Sequence, residues 1–155
     1  MNDHNDHAHV VVNPFLIHIG ALAVGLLMQW LLPLPFLSVT VGRFAGAVIF
    51  LLGLTVGIPA SRQMRMARTT FNPGRATTAL VTKGPFQRSR NPIYIALLLN
   101  YAGLAVFFGT PWSLLLLPVV VWLMNRWVIM PEETYLARKF GAEYAQYSSM
   151  VRRWI

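Results

Sequence analysis

Between Asp6 and Arg43 the chain carries no lysine, arginine, aspartate or glutamate. It carries none from Phe44 to Ser61, and none from Asn91 to Asn125. A helix crossing a bilayer needs about 20 mostly apolar residues at 1.5 Å of rise each. The first run holds one such span, at about 14–36, closed by Pro33-Leu34-Pro35. The second holds another at about 41–60. The third is long enough for two, at about 93–109 and 111–130, with Gly109-Thr110-Pro111 as the turn between them. The expected fold is all-α: a polytopic membrane bundle of four transmembrane helices plus a C-terminal amphipathic helix, one domain over 1–155.

The first span does not read as a cleavable signal, because its apolar run is too long and no lysine or arginine precedes it. Residues 1–12 read as a flexible tail. His4, His7 and His9 stand there with Asp3 and Asp6, and a solvated tail is preferred to a metal site; no metal centre is expected anywhere in the chain.

Charge placement fixes the expected orientation. Only 12% of residues are charged, against about 25% in soluble domains, yet the formal charge is +8. Seven basic residues (Arg62, Arg65, Arg68, Arg75, Lys83, Arg88 and Arg90) lie between the second and third spans. Five more (Arg126, Arg138, Lys139, Arg152 and Arg153) lie at or beyond the end of the fourth, and Arg43 alone borders the first turn. The positive-inside rule puts the long loop and the C-terminus in the cytoplasm, and four spans return the N-terminus there too. Topology thus accounts for most of the charge, and no nucleic-acid partner is needed to explain it. Membrane lipids are the expected surroundings; the sequence leaves the oligomeric state open.

Within the spans, Gly42, Gly46, Gly53 and Gly57 fall on one side of the second helix and predict close backbone packing. Pro118 should kink the fourth span. Asn100 is read as an interhelical hydrogen-bonding group, while His18 and Gln29 are the remaining intramembrane polar residues.

Two cytoplasmic patches carry the candidate chemistry. The first is Lys83-Gly84-Pro85-Phe86-Gln87-Arg88-Ser89-Arg90-Asn91-Pro92-Ile93-Tyr94. Pro92 suits the first turn of the third span and Asn91 its N-cap, so free N–H groups and two arginines would meet an anion there. Thr77–Thr82 reads as a short extended piece. The second patch opens with Pro131-Glu132-Glu133 and continues through Leu136, Phe140, Tyr144 and Tyr147 at helical spacing. Its paired carboxylates suit ribose hydroxyls, an ammonium or a cationic cofactor. Arg126, seven residues before Glu133, would pair with it, hold an anionic substrate or snorkel to the interface.

Together the patches resemble a known family. Leu80-Val81-Thr82-x-Gly84-Pro85-Phe86-x-x-x-Arg90-Asn91-Pro92-x-Tyr94 is similar to the cofactor-site signature of the isoprenylcysteine carboxyl methyltransferase and phospholipid methyltransferase superfamily. Glu132-Glu133-x-x-Leu136-x-x-x-Phe140-Gly141-x-x-Tyr144-x-x-Tyr147, ending in Val151-x-Arg153-Trp154-Ile155, resembles its second element. The resemblance implies an integral membrane methyltransferase that uses S-adenosyl-L-methionine without a Rossmann domain and releases S-adenosyl-L-homocysteine. The cofactor elements would be 69–94 and 131–155. Carried over by position, Lys83, Gly84, Pro85, Arg90, Asn91, Pro92 and Tyr94 would line one side of the cofactor, and Glu132, Glu133, Tyr144 and Arg153 the other. Glu133 and Arg126 are the candidates for catalysis. A lipophilic or lipid acceptor, a carboxylate or an amine, would enter from the bilayer.

Two departures stand out. Many relatives have histidine at the position of Asn91 and glycine at that of Ala96. Asparagine does not titrate, so a histidine base is absent there, and neither patch holds a cysteine. A small four-helix transporter, a non-catalytic lipid-binding anchor and an NADPH-using sterol reductase relative are the competing readings. The transporter is disfavoured because all five acidic residues lie outside the apolar runs.

Overall fold

The structure is a computed structural model that describes residues 10–69 and 77–155. The histidine-bearing tail, Asn72-Pro73-Gly74 and Arg75 lie outside the described residues. Among those described, every regular element is helical. Helix α1 spans Pro14–Leu31 and α2 spans Val39–Met66. A 3-10 turn at Gly84–Gln87 precedes α3, Pro92–Phe107. Helix α4, Pro111–Leu123, passes through a π-helical turn at Met124–Ile129 into α5, Met130–Met150.

Three of these helices are long and apolar enough to cross a membrane: Pro14–Leu31, Val39–Met66 and the continuous Pro111–Met150. Helix α3 is apolar but has only 16 residues. Large apolar side chains face outward around the bundle, Trp30 (78% exposed) and Phe44 (75%) among them. That arrangement suits lipid and not water.

Helix boundaries follow local chemistry. Asn13 caps α1, its Oδ1 accepting from the Phe15 N–H at 2.9 Å, and Pro14 fills the first turn. The helix stops at Leu31, short of the expected Phe36, because Pro33 drives Leu32 out of the helical region (φ −134°, ψ 74°). Gln29 then holds the turn, its Nε2 donating to the Leu34 carbonyl at 2.9 Å. Helix α2 runs past Ala60 to Met66 because Arg62, Gln63 and Arg65 are good helix formers in any solvent. It ends on Arg68, which takes a left-handed φ of 52° while the Thr69 N–H returns to the Met64 carbonyl.

The glycine stripe does what its spacing predicts. A Cβ added at Gly46 would sit 2.6 Å from the Gly103 carbonyl oxygen, and one at Gly103 would sit 2.6 Å from the Phe50 nitrogen. Helices α2 and α3 therefore pack backbone to backbone. Asn100 lies in this seam; with its amide turned to satisfy both ends, Nδ2 donates to the Phe50 carbonyl at 3.0 Å and the Ala96 carbonyl at 3.3 Å.

A buried polar knot fixes the opposite end. Thr110 Oγ1 donates to the Gly25 carbonyl at 3.0 Å, and the Tyr101 hydroxyl donates to the Ser113 carbonyl at 2.7 Å. Thr110 and Ser113 are both fully buried. Beneath the knot, Ile17, Tyr101, Val120, Met124, Val128 and Ile129 form the core.

Pro118 and Pro131 end no helix. Pro131 lacks the N–H that would reach the Trp127 carbonyl, and the π-helical turn just before it absorbs the misfit. The Val11 N–H, from the segment before α1, takes that carbonyl at 3.1 Å. The fourth apolar run thus continues without a break into the helix that bears the glutamates, where the sequence suggests a fresh start at Pro131. The bend comes at Gly141, whose φ of 49° and ψ of −119° lie outside the helical region.

Candidate functional site

The two sequence patches meet. The last turn of α2, the segment 77–81, the 3-10 turn, the start of α3 and both halves of α5 enclose a cavity. Met64, Phe86, Arg90, Asn91, Glu132 and Glu133 are on its wall, with Leu136, Tyr144 and Tyr147 closing the far side. A smaller cavity adjoins it, sharing Met64, Phe86, Arg90, Asn91 and Glu132 and adding Pro92, Ile93 and Tyr94.

Glu133 is the electrostatic centre. Arg153 donates to it twice, from Nε to Oε1 at 3.1 Å and from Nη2 to Oε2 at 2.6 Å. Arg90 Nη1 approaches Oε1 at 3.3 Å and also reaches the Tyr144 hydroxyl at 3.4 Å. Such a forked contact fixes both partners in one plane. Donating to Glu133 holds the Arg153 guanidinium protonated above its ordinary range, partly offset by burial. Arg90 Nε is buried yet has no hydrogen-bond partner among the described residues.

Glu132, one residue earlier, has a different environment. Its Oε2 accepts from the Tyr94 hydroxyl at 2.7 Å, and among the described residues no ion pair joins it to a guanidinium. Burial pushes its carboxyl up to about 6; the Tyr94 bond pulls it down and the Glu133 charge pushes it up again. The tyrosines on the same helix feel similar forces. Burial, and then the Glu133 charge, raise the Tyr144 hydroxyl. Burial and Tyr144 push Tyr147 up to about 12.

The C-terminal segment locks the frame. Ser89 Oγ and Asn91 Nδ2 both donate to the Arg153 carbonyl, at 3.2 and 3.0 Å, and the Arg90 N–H donates to the Arg152 carbonyl at 2.9 Å. Asn91 stands at the N-cap position of α3, but its side chain makes no capping bond; it is spent on holding the C-terminal segment. The Tyr147 hydroxyl donates to the Phe86 carbonyl at 2.7 Å, tying α5 to the 3-10 turn.

The sequence-derived residues divide accordingly. Arg90, Asn91, Glu132, Glu133 and Tyr144 line the main cavity, Pro92 and Tyr94 the adjoining one, and Arg153 anchors Glu133 from behind. Gly84 and Pro85 face away, onto a lateral groove with Arg88, Ile95 and Trp154. Gly84 is needed for its left-handed φ of 64° beside Gln63. Lys83 is exposed and lines none of these cavities. Arg126 is exposed on the π-helical turn, and no ion pair joins it to Glu133 among the described residues.

Sequence reasoning missed Met64, which belongs to neither patch and reaches the site only because α2 outruns its apolar stretch. It also missed Ser89. The segment 77–81 forms no strand; the Thr77 N–H donates to the Tyr135 hydroxyl at 3.2 Å, and Thr78 Oγ1 to the Arg68 carbonyl at 2.9 Å.

A Haemophilus influenzae protein of uncharacterised function is 36% identical over 63 residues, which is 41% of this chain and all of that one. Protein-S-isoprenylcysteine O-methyltransferase B of Arabidopsis thaliana is 38% identical over 72 residues, 46% of this chain and 36% of that protein. The cobalt-zinc-cadmium resistance protein CzcN of Cupriavidus metallidurans is 29% identical over 107 residues, 69% and 49% of the two chains. The chain thus spans half or less of these last two relatives. No solved structure matches it. The phospholipid methyltransferase profile matches residues 41–143, α2 through the first half of α5, and the chain belongs to that family.

Proposed function

We propose that the protein is an integral membrane methyltransferase that takes S-adenosyl-L-methionine into the cavity between the 3-10 turn, the start of α3 and α5. The observation that carries this reading is Arg90: its guanidinium is pinned to Glu133, yet its buried Nε is unpartnered and belongs to a cavity wall. A buried cation with one donor unspent suits an anionic group such as an amino-acid carboxylate. The rest of the donor set fits the same cofactor. Glu132 offers an oxygen that meets no donor among the described residues, a free acceptor on the cavity wall. Phe86, Tyr144 and Tyr147 supply flat apolar walls for a purine.

The sulfonium of such a cofactor supplies an electrophilic methyl group. The chain's own contribution is position and exclusion of water. Glu133, held by two guanidiniums, fixes the wall of the site. Glu132 adds carboxylate character to it, which balances a cationic sulfur. Four spans, α3 included, would place α5 and both termini on the cytoplasmic side, with the acceptor, a lipophilic carboxylate or amine, arriving laterally from lipid.

Calorimetric titration of the detergent-solubilised protein with S-adenosyl-L-homocysteine tests the reading. Saturable binding that Arg90→Ala weakens is expected. A wild-type protein that binds none, while remaining folded, overturns it.

A further inference from the structure

The two adjacent glutamates are chemically unlike. Glu133 has both oxygens engaged by Arg153, with Arg90 on one of them. A carboxylate so held has three of its four lone-pair sites engaged and gives up its negative charge only by breaking three contacts. Glu132 is bound through one oxygen to the Tyr94 hydroxyl, and among the described residues nothing donates to the other. It also occupies a distinctive place: it lines both the main cavity and the adjoining one, whereas Glu133 lines the main cavity alone.

We propose that Glu132 is the proton acceptor of this site, with Tyr94 as the residue that positions it, and that the site thereby serves an acceptor nucleophile that must lose a proton. The proposal rests on the methyltransferase reading above. Two carboxylates whose surroundings push them apart mark the division between a structural and a proton-transferring role. Among the described residues, the titratable and charged groups that line the two cavities with Glu132 are Tyr94 from α3, Arg90 ahead of that helix, and Glu133, Tyr144 and Tyr147 on α5. The Arg90 and Arg153 guanidiniums are both committed to Glu133, so among the described residues Glu132 faces the cavity without a paired cation. A protonated nucleophile meets a negative partner there. Its proton passes to the open Glu132 oxygen, and its freed lone pair forms the new bond to the methyl carbon. The sulfur–carbon bond breaks with its electrons left on sulfur, giving a neutral thioether. The Glu132 carboxylic acid then returns the proton to solvent. A group near pH 6 serves such a cycle at neutral pH, since it is ionised before transfer yet basic enough to take a proton.

The test uses dodecylamine, which must lose a proton, and dodecanoate, which has none to lose, with S-adenosyl-L-methionine and the solubilised full chain. Wild type should methylate the amine with an acid limb near pH 6. Glu132→Gln should reduce amine methylation by about 10²–10⁴-fold, the usual contribution of a positioned base, and lower any dodecanoate methylation far less. Its residual amine rate should climb with free amine concentration instead of levelling off. Tyr94→Phe should move the acid limb to higher pH, because it removes the bond that favours the ionised carboxyl. Infrared titration of the carboxyl band, independent of turnover, should show a group near pH 6 that disappears in Glu132→Gln and moves up in Tyr94→Phe. Equal losses with both acceptors, an acid limb unmoved by either variant, or transfer to neither acceptor by a protein that binds S-adenosyl-L-homocysteine overturns the proposal. Absence of that binding in wild type overturns instead the methyltransferase reading beneath it.

Discussion

Arg153 grips Glu133 through Nε and Nη2 at 3.1 and 2.6 Å, joining the last residues of the described chain to the first turn of α5. The same residue accepts on its carbonyl from Ser89 and Asn91. One residue thus holds both sequence patches, with its side chain on one and its backbone on the other.

Removing either side of that grip has unequal consequences. Glu133→Gln leaves Arg90 and Arg153 facing each other without a counter-charge, so it should cost more than Arg153→Lys, which keeps a cation. A loss of about 1–3 kcal/mol is expected for Glu133→Gln, the range for stranding a partly buried charged group, reduced by the 39% exposure of the Arg153 side chain. Thermal unfolding in detergent should show a lower Tm for Glu133→Gln than for Arg153→Lys.

Glu132 should make stability depend on pH. Its folded carboxyl is raised to about 6 from a reference of 4.5, so the folded state binds more protons than the unfolded state between these values. Stability should therefore fall as pH rises from about 4.5 to about 6, then level off, at a cost of about 1–2 kcal/mol. Glu132→Gln should raise Tm relative to wild type above pH 6 and leave it little changed below pH 4.5. Melts across pH 4–8 measure this.

Arg90 and Arg126 distinguish the cavity wall from the exposed surface. Arg90→Ala removes a charge-assisted contact worth about 1.5–3 kcal/mol, so S-adenosyl-L-homocysteine affinity should drop about tenfold or more. Arg126→Ala, on an exposed face of the π-helical turn, should leave that affinity unchanged. Parallel calorimetric titrations of the two variants provide the check.

The α2–α3 seam has no room for a side chain at Gly46. Gly46→Ala places a methyl group against the Gly103 carbonyl and should destabilise the bundle by about 1–3 kcal/mol, the usual cost of overpacking. Gly20→Ala, where an added Cβ meets nothing within 4 Å, is the control. Their Tm values in detergent should differ accordingly.

Much of this architecture is legible in the sequence because lipid demands long uncharged runs and tight helix seams need glycine. Gly46 and Gly103 touch as their spacing implies, and both patches converge on one cavity. What the sequence hides is the commitment of each polar group. Asn91 looks like a helix cap, yet it holds the Arg153 carbonyl, because a partner 62 residues away competes successfully with the adjacent helix. Glu132 and Glu133 look interchangeable until the helix turns one toward two arginines and the other toward Tyr94. Pro131 reads as a helix start because a proline there usually is one. The π-helical turn and the Val11 N–H that makes continuation possible carry no local signal.

That uninterrupted helix acts as a depth gauge. From Pro111 to Glu132 an ideal helix rises about 32 Å, close to the roughly 30 Å of a bilayer's hydrocarbon layer. With no joint between the far turn and the carboxylates, their distance from the opposite face is set by counting residues. Under the proposed function, an acceptor presenting its reactive atom at that plane would be in register with them, and one whose reactive atom dangles several bonds further into water would not.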